Sequence, residues 1–245
     1  MISLRGVSCL VLGAGGFLGT NLCRGLIKRG VIVQGFGRSR MFPDAITDIN
    51  WIFGDFTQEV SVARAVEGID VVFYMMSGSL PEGSNHDPAG DLYANVVPSL
   101  SLLEICKTAK VKKIVFASSG GAIYGAPDTG PIPETARTDP IASYGIGKLA
   151  IEKYLALYHH LYGLDYTIVR IANPFGPYQA VHRRRGGIAT LIQKALRGEA
   201  LEFWARAKRF GTLYMWKTWW RPWSARRCIG GHLAYLTLVR ASAEA

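Results

Sequence analysis

Cysteine is scarce in this chain of 245 residues, and the four present, Cys9, Cys23, Cys106 and Cys228, have neither disulfide nor metal-ligand spacing. That excludes a disulfide-stapled or zinc-held scaffold. The cysteines read as reduced packing residues of a cytoplasmic protein, and no metal is expected. Charged residues are few as well, at 19% against 49% hydrophobic, a balance that suits a soluble globular chain. No apolar run reaches the ~18 residues needed to cross a bilayer, so no membrane span is expected. The N-terminus lacks a basic leader or small-residue cleavage site, which argues against secretion. Internal repeats and low-complexity linkers are missing too.

What is present is alternation. Apolar runs at Val7–Leu12, Val31–Phe36, Trp51–Phe53, Val71–Met75, Lys113–Ala117 and Tyr166–Arg170 read as strands. Helical patterns separate them at 17–29, 58–66, 89–109 and 143–162, and another follows at 187–197. Strands alternating with helices imply a parallel sheet covered on both faces, a doubly wound, Rossmann-like α/β fold.

Two motifs carry chemistry. The first is a glycine turn, Gly13-Ala14-Gly15-Gly16-Phe17-Leu18-Gly19, between the first strand and the first helix. In that context the glycines let helix N-terminal N–H groups approach a pyrophosphate, where the helix dipole favours negative charge. The second is Tyr144-x-x-x-Lys148, about 125 residues downstream of the turn. Positions i and i+4 share a helix face, so the ammonium can lower the phenol pKa and make it a usable acid/base. In this order the two motifs point to hydride chemistry on an alcohol or ketone beside a bound nicotinamide.

From Leu4 to Trp204 the chain resembles the extended short-chain dehydrogenase/reductases, and among them the nucleotide-sugar epimerases of the UDP-glucose 4-epimerase type. The resemblance rests on the glycine turn, on Ser118-Ser119-Gly120-Gly121-Ala122-Ile123-Tyr124-Gly125, on Tyr144-x-x-x-Lys148, and on Arg170-Ile171-Ala172-Asn173-Pro174-Phe175-Gly176-Pro177. It implies that Tyr144 is the acid/base and that Lys148 holds the nicotinamide ribose. It also implies that Gly13, Gly16, Phe17, Leu18 and Gly19 cradle the cofactor, while Asp55 and Phe56 sit at the adenine. Met75, Met76 and Asn95 would line the cofactor groove, and Asn173 would contact the substrate diphosphate. For the methionines plain core packing is an equal reading, and an aspartate in a turn needs no function. The family commonly dimerises through the helix carrying Tyr144 and its neighbour.

The chain departs from the pattern twice. Where the family places a catalytic Ser or Thr it has Gly120, which leaves Ser119 as the candidate hydroxyl with Ser118 behind it. At the end of the second strand, where an acid would accept the ribose hydroxyls of NAD, stands Gly37, followed by Arg38, Ser39 and Arg40. These could instead pair with the 2′-phosphate of NADP. NAD is the expected cofactor by family and NADP its alternative; a solvated basic loop is the bland reading.

Residues 205–245 differ from the rest. They hold eight of the 28 Lys and Arg but one of the 18 acids, Glu244, leaving 20 against 17, or +3 of the formal +10, for the first 204 residues. Four of the six tryptophans fall between Trp216 and Trp223. Such a tail could be read as binding nucleic acid or a membrane surface, but neither partner is expected. Back-translation of Met215–Trp223 with AGG for Arg221, read one base earlier, permits Tyr-Val-Glu-Asp-Val-Val-Glu-Ala-Met, as the family carries there. Leu236–Val239 weakly permits a later family strand in the same way. The expectation is therefore a one-base frameshift near Trp204: residues 1–204 form an NAD(P)-binding domain with the start of a substrate lobe, and 205–245 are an out-of-frame tail that leaves the lobe incomplete.

The resemblance implies an NAD-dependent epimerase acting on a nucleotide-diphosphate sugar through a transient 4-keto sugar, with the in-frame parent a homodimer. Three alternatives stand beside it: an NADP-dependent reductase, a non-catalytic dinucleotide-binding protein, and a basic-tail nucleic-acid binder.

Overall fold

Side-chain alternation in the first strand decides the architecture. In β1 (Ser8–Leu12), Cys9 and Val11 enter one apolar cluster while Leu10 and Leu12 enter another, as a two-residue period requires. All four are at most 1% exposed, so both faces of the strand are covered. The computed structural model describes residues 6–78, 81–125, 132–179 and 196–198, with short strands further on at 214–215 and 235–238.

The same division runs through β2 (Ile32–Gly37), β4 (Val71–Tyr74) and β5 (Lys113–Ser119). Val33, Phe73 and Val115 join Cys9, and Phe36, Tyr74 and Phe116 join Leu10. Helix α1 (Phe17–Ile27) closes the first cluster with Leu22, Cys23 and Leu26. Three helices close the second: α2 (Glu59–Val66), α4 (Pro88–Thr108) and α5 (Ser143–Tyr162), through residues such as Val62, Leu102 and Ile151. A one-turn helix, α3 (Pro81–Ser84), precedes α4.

With β3 (Asn50–Phe53), β6 (Asp165–Ile171) and β9 (Tyr235–Leu238), the sheet has the order β3-β2-β1-β4-β5-β6-β9. Every pairing in it is parallel. Strand order reverses between β1 and β4, so a crevice opens beyond their carboxyl ends, where α/β sheets of this kind take ligands. The doubly wound expectation holds, and the described elements begin and end within one or two residues of the expected ones.

Three short strands lie outside that expectation. β7 (Pro174–Phe175) pairs with β8 (Tyr214–Met215), and β9 lies beside β6 with Ile168 opposite Tyr235. β8 and β9 fall in residues 205–245, the segment read from the sequence as an out-of-frame tail. Tyr-Leu-Thr-Leu suits a strand, and β6 would otherwise present an unpaired edge. Most of the expected helix at 187–197, Trp204, the tryptophan cluster and Cys228 lie outside the described residues.

One ion pair fastens α5 to the strands beneath it. Glu152 is 1% exposed and Arg170 4%. Arg170 donates to both carboxylate oxygens, Nη2 at 2.7 Å and Nε at 3.1 Å, and through Nη1 to the Tyr124 hydroxyl at 2.8 Å. The Ser118 hydroxyl donates to the same carboxylate at 2.5 Å. Glu152→Ala would remove the carboxylate that balances this buried guanidinium, which costs about 3–5 kcal/mol. Urea denaturation should show that loss as a lower midpoint at constant slope. A loss under about 1 kcal/mol would mean that other contacts hold α5 in place.

Candidate active site

The glycine turn folds back at the end of β1. Gly13 takes a φ of 83°, and its N–H donates to the Phe36 carbonyl at 2.9 Å. A side chain on Gly19 would lie 2.1 Å from the Gly13 carbonyl oxygen, and one on Gly15 2.1 Å from that of Ser39. Those two positions need glycine so that backbones can touch. Gly16 differs, because a Cβ there meets nothing nearer than 3.5 Å. It is the N-cap of α1, with no capping side chain and no acid in the first turn. The first turn of α1 thus has no capping side chain and no acid, and a side chain at Gly16 would meet only ordinary contact among the described residues, which fits a dinucleotide pyrophosphate.

Around this turn the strand ends deliver the other expected residues. Met75 is 8% exposed and belongs to the α1-side core. Met76 lies beside Gly13, where an added Cβ would be 3.0 Å from its Cγ. Asn95 reaches from α4 to accept the Gly78 N–H at 2.8 Å, which fixes the loop after β4. Asp55 accepts the Thr57 N–H at 2.9 Å and hydroxyl at 2.8 Å. Those bonds, and to a lesser degree the Arg38 charge, hold its carboxyl below the usual range. Phe56 is buried, its ring packed on Tyr74 at 5.2 Å, so only its backbone is available to a ligand. Asn173 is exposed beyond β6 with a φ of 22°.

The two serines separate clearly. Ser118 is buried and spends its proton on Glu152. Ser119 is half-buried, and its oxygen accepts the Ala122 N–H at 3.1 Å, which leaves its own proton to donate elsewhere. A Cβ on Gly120 would lie 3.0 Å from the Arg170 carbonyl oxygen. The turn has closed against β6 at Gly120, which leaves no room there for a side chain.

The first turn of α5 carries Tyr144, and it is capped from outside the helix. Its N-cap is Ala142, which offers no side-chain acceptor. Instead Asn85 accepts the Ser143 N–H at 2.9 Å and the Ser84 hydroxyl accepts that of Tyr144 at 3.0 Å. The Ser143 hydroxyl donates to buried Asp91 at 3.0 Å. Gly145 permits close seating, since a Cβ there would be 2.4 Å from the Ala122 carbonyl oxygen. Ser84, Asn85 and Asp91 were not singled out from the sequence. Asp-Pro at 87–88 marks a helix start, but nothing local announces caps for another helix.

Lys148 sits one turn below Tyr144 and is 7% exposed. Its ammonium donates to the Ala117 carbonyl at 2.9 Å and the Met76 carbonyl at 3.4 Å, and lies 5.8 Å from the Tyr144 ring centre. Burial pulls its pKa down to about 8, against the upward pull of Glu152 and Asp91. An unfolded lysine titrates at 10.5, so between these values the unfolded chain binds more protons than the folded one. The Lys148 contribution to stability therefore rises with pH through that window and is flat below it. Relative to Lys148→Met, the native chain should gain about 2 kcal/mol between about pH 7.5 and about pH 10, read by denaturation at both. Parallel pH profiles would show that this ammonium is not desolvated.

The profile of the NAD dependent epimerase/dehydratase family matches residues 9–223. The chain is 32% identical over 200 residues to a UDP-glucose 4-epimerase of Mycolicibacterium smegmatis, covering 77% of this chain and 63% of that one. Among solved structures it resembles the Thermotoga maritima UDP-glucose 4-epimerase with UDP-glucose, at 30% identity and a TM-score of 0.81, over 86% of this chain and 70% of the other. The Thermus thermophilus UDP-glucose 4-epimerase complex with NAD is similar at 25% identity and a TM-score of 0.85, over 94% and 77%. The curated relative is thus matched over less than two thirds of its length. A glycine turn with room at Gly16, a buried lysine beneath a helix tyrosine, and a family match over most of the chain agree: this chain belongs to the NAD dependent epimerase/dehydratase family.

Proposed function

We propose that the chain is the cofactor-binding part of an NAD-dependent epimerase acting on a nucleotide-diphosphate sugar, of the UDP-glucose 4-epimerase kind. The observation that carries the reading is Lys148, seated on the Ala117 and Met76 carbonyls directly below Tyr144. Gly13, Gly16, Phe17, Leu18 and Gly19 would hold the pyrophosphate, and Arg38, Asp55 and Phe56 would flank the adenosine. Met75, Met76, Asn95 and Ser118 would shape the groove through backbone and packing. When bound, the nicotinamide supplies hydride acceptance and return. Tyr144 takes the proton of the sugar C4 hydroxyl and gives it back, so a 4-keto sugar lies between the two steps. The Ser119 hydroxyl donates to the C4 oxygen, Lys148 keeps positive charge beside the phenol, and Asn173 meets the substrate diphosphate.

Three further elements complete the reading. Residues 205–245 are taken as out of frame, so the sugar-binding lobe is incomplete and turnover belongs to the frame-restored chain. The in-frame parent is a homodimer through α4 and α5, whose outer faces expose Tyr93, Val97, Ile146, Leu157 and Leu161. The compartment is the cytoplasm, where Cys9, Cys23 and Cys106 are inert packing residues with thiols pushed up to about 12 by burial. Among the described residues no helix is long and apolar enough to cross a membrane.

Titration of the full chain with NAD tests the cofactor site. Gly16→Val should abolish binding while leaving the thermal midpoint nearly unchanged, because the added Cβ meets no described atom nearer than the Gly13 carbonyl oxygen at 3.5 Å. Gly19→Val should instead lower the midpoint, since it strikes the chain's own backbone. Equal NAD affinity in Gly16→Val would remove the pyrophosphate from this turn. In a frame-restored chain, Tyr144→Phe should lower kcat for UDP-glucose epimerisation by roughly 10²–10⁴ and leave NAD affinity intact. Retained turnover would assign the proton to another group.

A further inference from the structure

Asp91, Lys148, Glu152 and Arg170 are buried charged side chains where α4, α5 and β6 meet. Glu152 and Arg170 pair directly, at 2.7 Å. Lys148 rests on two neutral carbonyls, so Asp91 is the carboxylate left to balance it. Of the two upward pulls on the ammonium, that of Glu152 is the larger, but Arg170 already matches that charge.

Asp91 lies on α4, one turn before Asn95, and faces α5 at Gly147, where a Cβ would be 3.8 Å from Asp91 Oδ2. Both carboxylate oxygens are used, and both meet donors. Oδ2 accepts the Ser143 hydroxyl at 3.0 Å, in the first turn of α5 beside Tyr144. Oδ1 accepts Asn95 Nδ2 at 3.0 Å. Asn95 in turn accepts the Gly78 N–H at 2.8 Å, in the loop that follows Met76, and the Met76 carbonyl is one of the two beneath Lys148. One carboxylate is thus joined to the helix turn that carries the phenol and to the loop that carries an acceptor of the ammonium. An amide is no substitute. With one accepting and one donating end, asparagine would turn its NH2 toward one of two groups that here donate.

We propose that Asp91 is a positioning residue for the Tyr144–Lys148 pair, holding the first turn of α5 through Ser143 and the loop after β4 through Asn95. Its charge also offsets the buried ammonium. The titratable groups facing that ammonium are Tyr144 and Glu152 on its own helix, Asp91 on α4 and the Tyr74 phenol on β4. The proposal rests on the reading of Tyr144 and Lys148 as proton carrier and charged partner, and adds to that pair a residue from another helix.

Nuclear magnetic resonance on the full chain, with lysine carbon-13 labelled at Cε, tests it without cofactor or turnover. The Lys148 signal is the one lost in Lys148→Met, and its midpoint is expected at about 8. Asp91→Asn should lower that midpoint by roughly half a pH unit or more, as loss of a nearby opposite charge requires. Amide exchange over residues 143–148 should quicken about tenfold or more in the same variant. Ser143→Ala should quicken those amides too, yet leave the Lys148 midpoint within roughly 0.2 of the parent, because it removes a neutral bond and no charge. A residue that served packing alone would lower the thermal midpoint in Asp91→Asn and leave the ammonium unmoved. An unshifted Lys148 midpoint in folded Asp91→Asn would therefore overturn the proposal. Should that variant not fold, unchanged exchange in Ser143→Ala would overturn it instead. Titration with NAD keeps the two readings apart: absence of binding to the parent chain would remove the dinucleotide from the groove and leave the Asp91 result standing.

Discussion

An ammonium buried under the first turns of α5 organises the carboxyl edge of the sheet. Taking such a charge out of water costs several kcal/mol unless polar partners replace its hydration. Pairing between β4 and β5 ends at Tyr74 and Phe116. Just beyond that point, the Met76 and Ala117 carbonyls turn to Lys148. The gap between two strand ends thus becomes a binding site for the helix, and the ring of Phe116, centred 4.7 Å from the ammonium, closes it. The Lys148 pKa, lowered to about 8, records how incompletely water has been replaced. A charge so placed is available to chemistry because it is not fully satisfied.

Tyr144, Lys148 and Glu152 occupy successive i, i+4 positions on α5, and burial deepens along them. Tyr144 is half-buried, Lys148 is 7% exposed and Glu152 1%. The deepest member holds the helix on β6 through Arg170, and it draws Ser118 into the same network. Because Ser118 is consumed there, Ser119 is the hydroxyl left at the mouth of the groove. Which of the two serine hydroxyls donates inward is set by an ion pair that never reaches the edge.

This explains what was legible in the sequence and what was not. Strands β1 to β6 showed themselves as apolar runs, and the glycine turn and the Tyr144–Lys148 spacing are local patterns. Each depends on residues within a turn or two of one another. The roles of Ser118 and Ser119 depend on Glu152, more than thirty residues away, and the caps of α5 come from Ser84 and Asn85. Arg38 and Arg40 look alike in a string of letters and differ only because Trp51 and the Ile46 carbonyl claim one of them. β9 was missed for a related reason: Tyr235–Leu238 is short, and it becomes a strand by pairing with β6.

The helices themselves argue for a ligand at the turn. α4 is capped by Asp87, which accepts the Gly90 N–H at 2.9 Å. α5 is capped by Ser84 and Asn85, and α2 carries Glu59 in its first turn. α1 has neither a cap nor an acid. Supplying one would be worth about 1 kcal/mol of stability, and among the described residues a Cβ at Gly16 would meet nothing nearer than the Gly13 carbonyl oxygen at 3.5 Å, an ordinary contact. Gly15 and Gly19, in the same turn, are confined by backbone contacts. Two of these glycines are therefore accounted for by folding alone. Gly16 and the uncapped N–H groups behind it are not, and the pyrophosphate of the proposed dinucleotide would account for them.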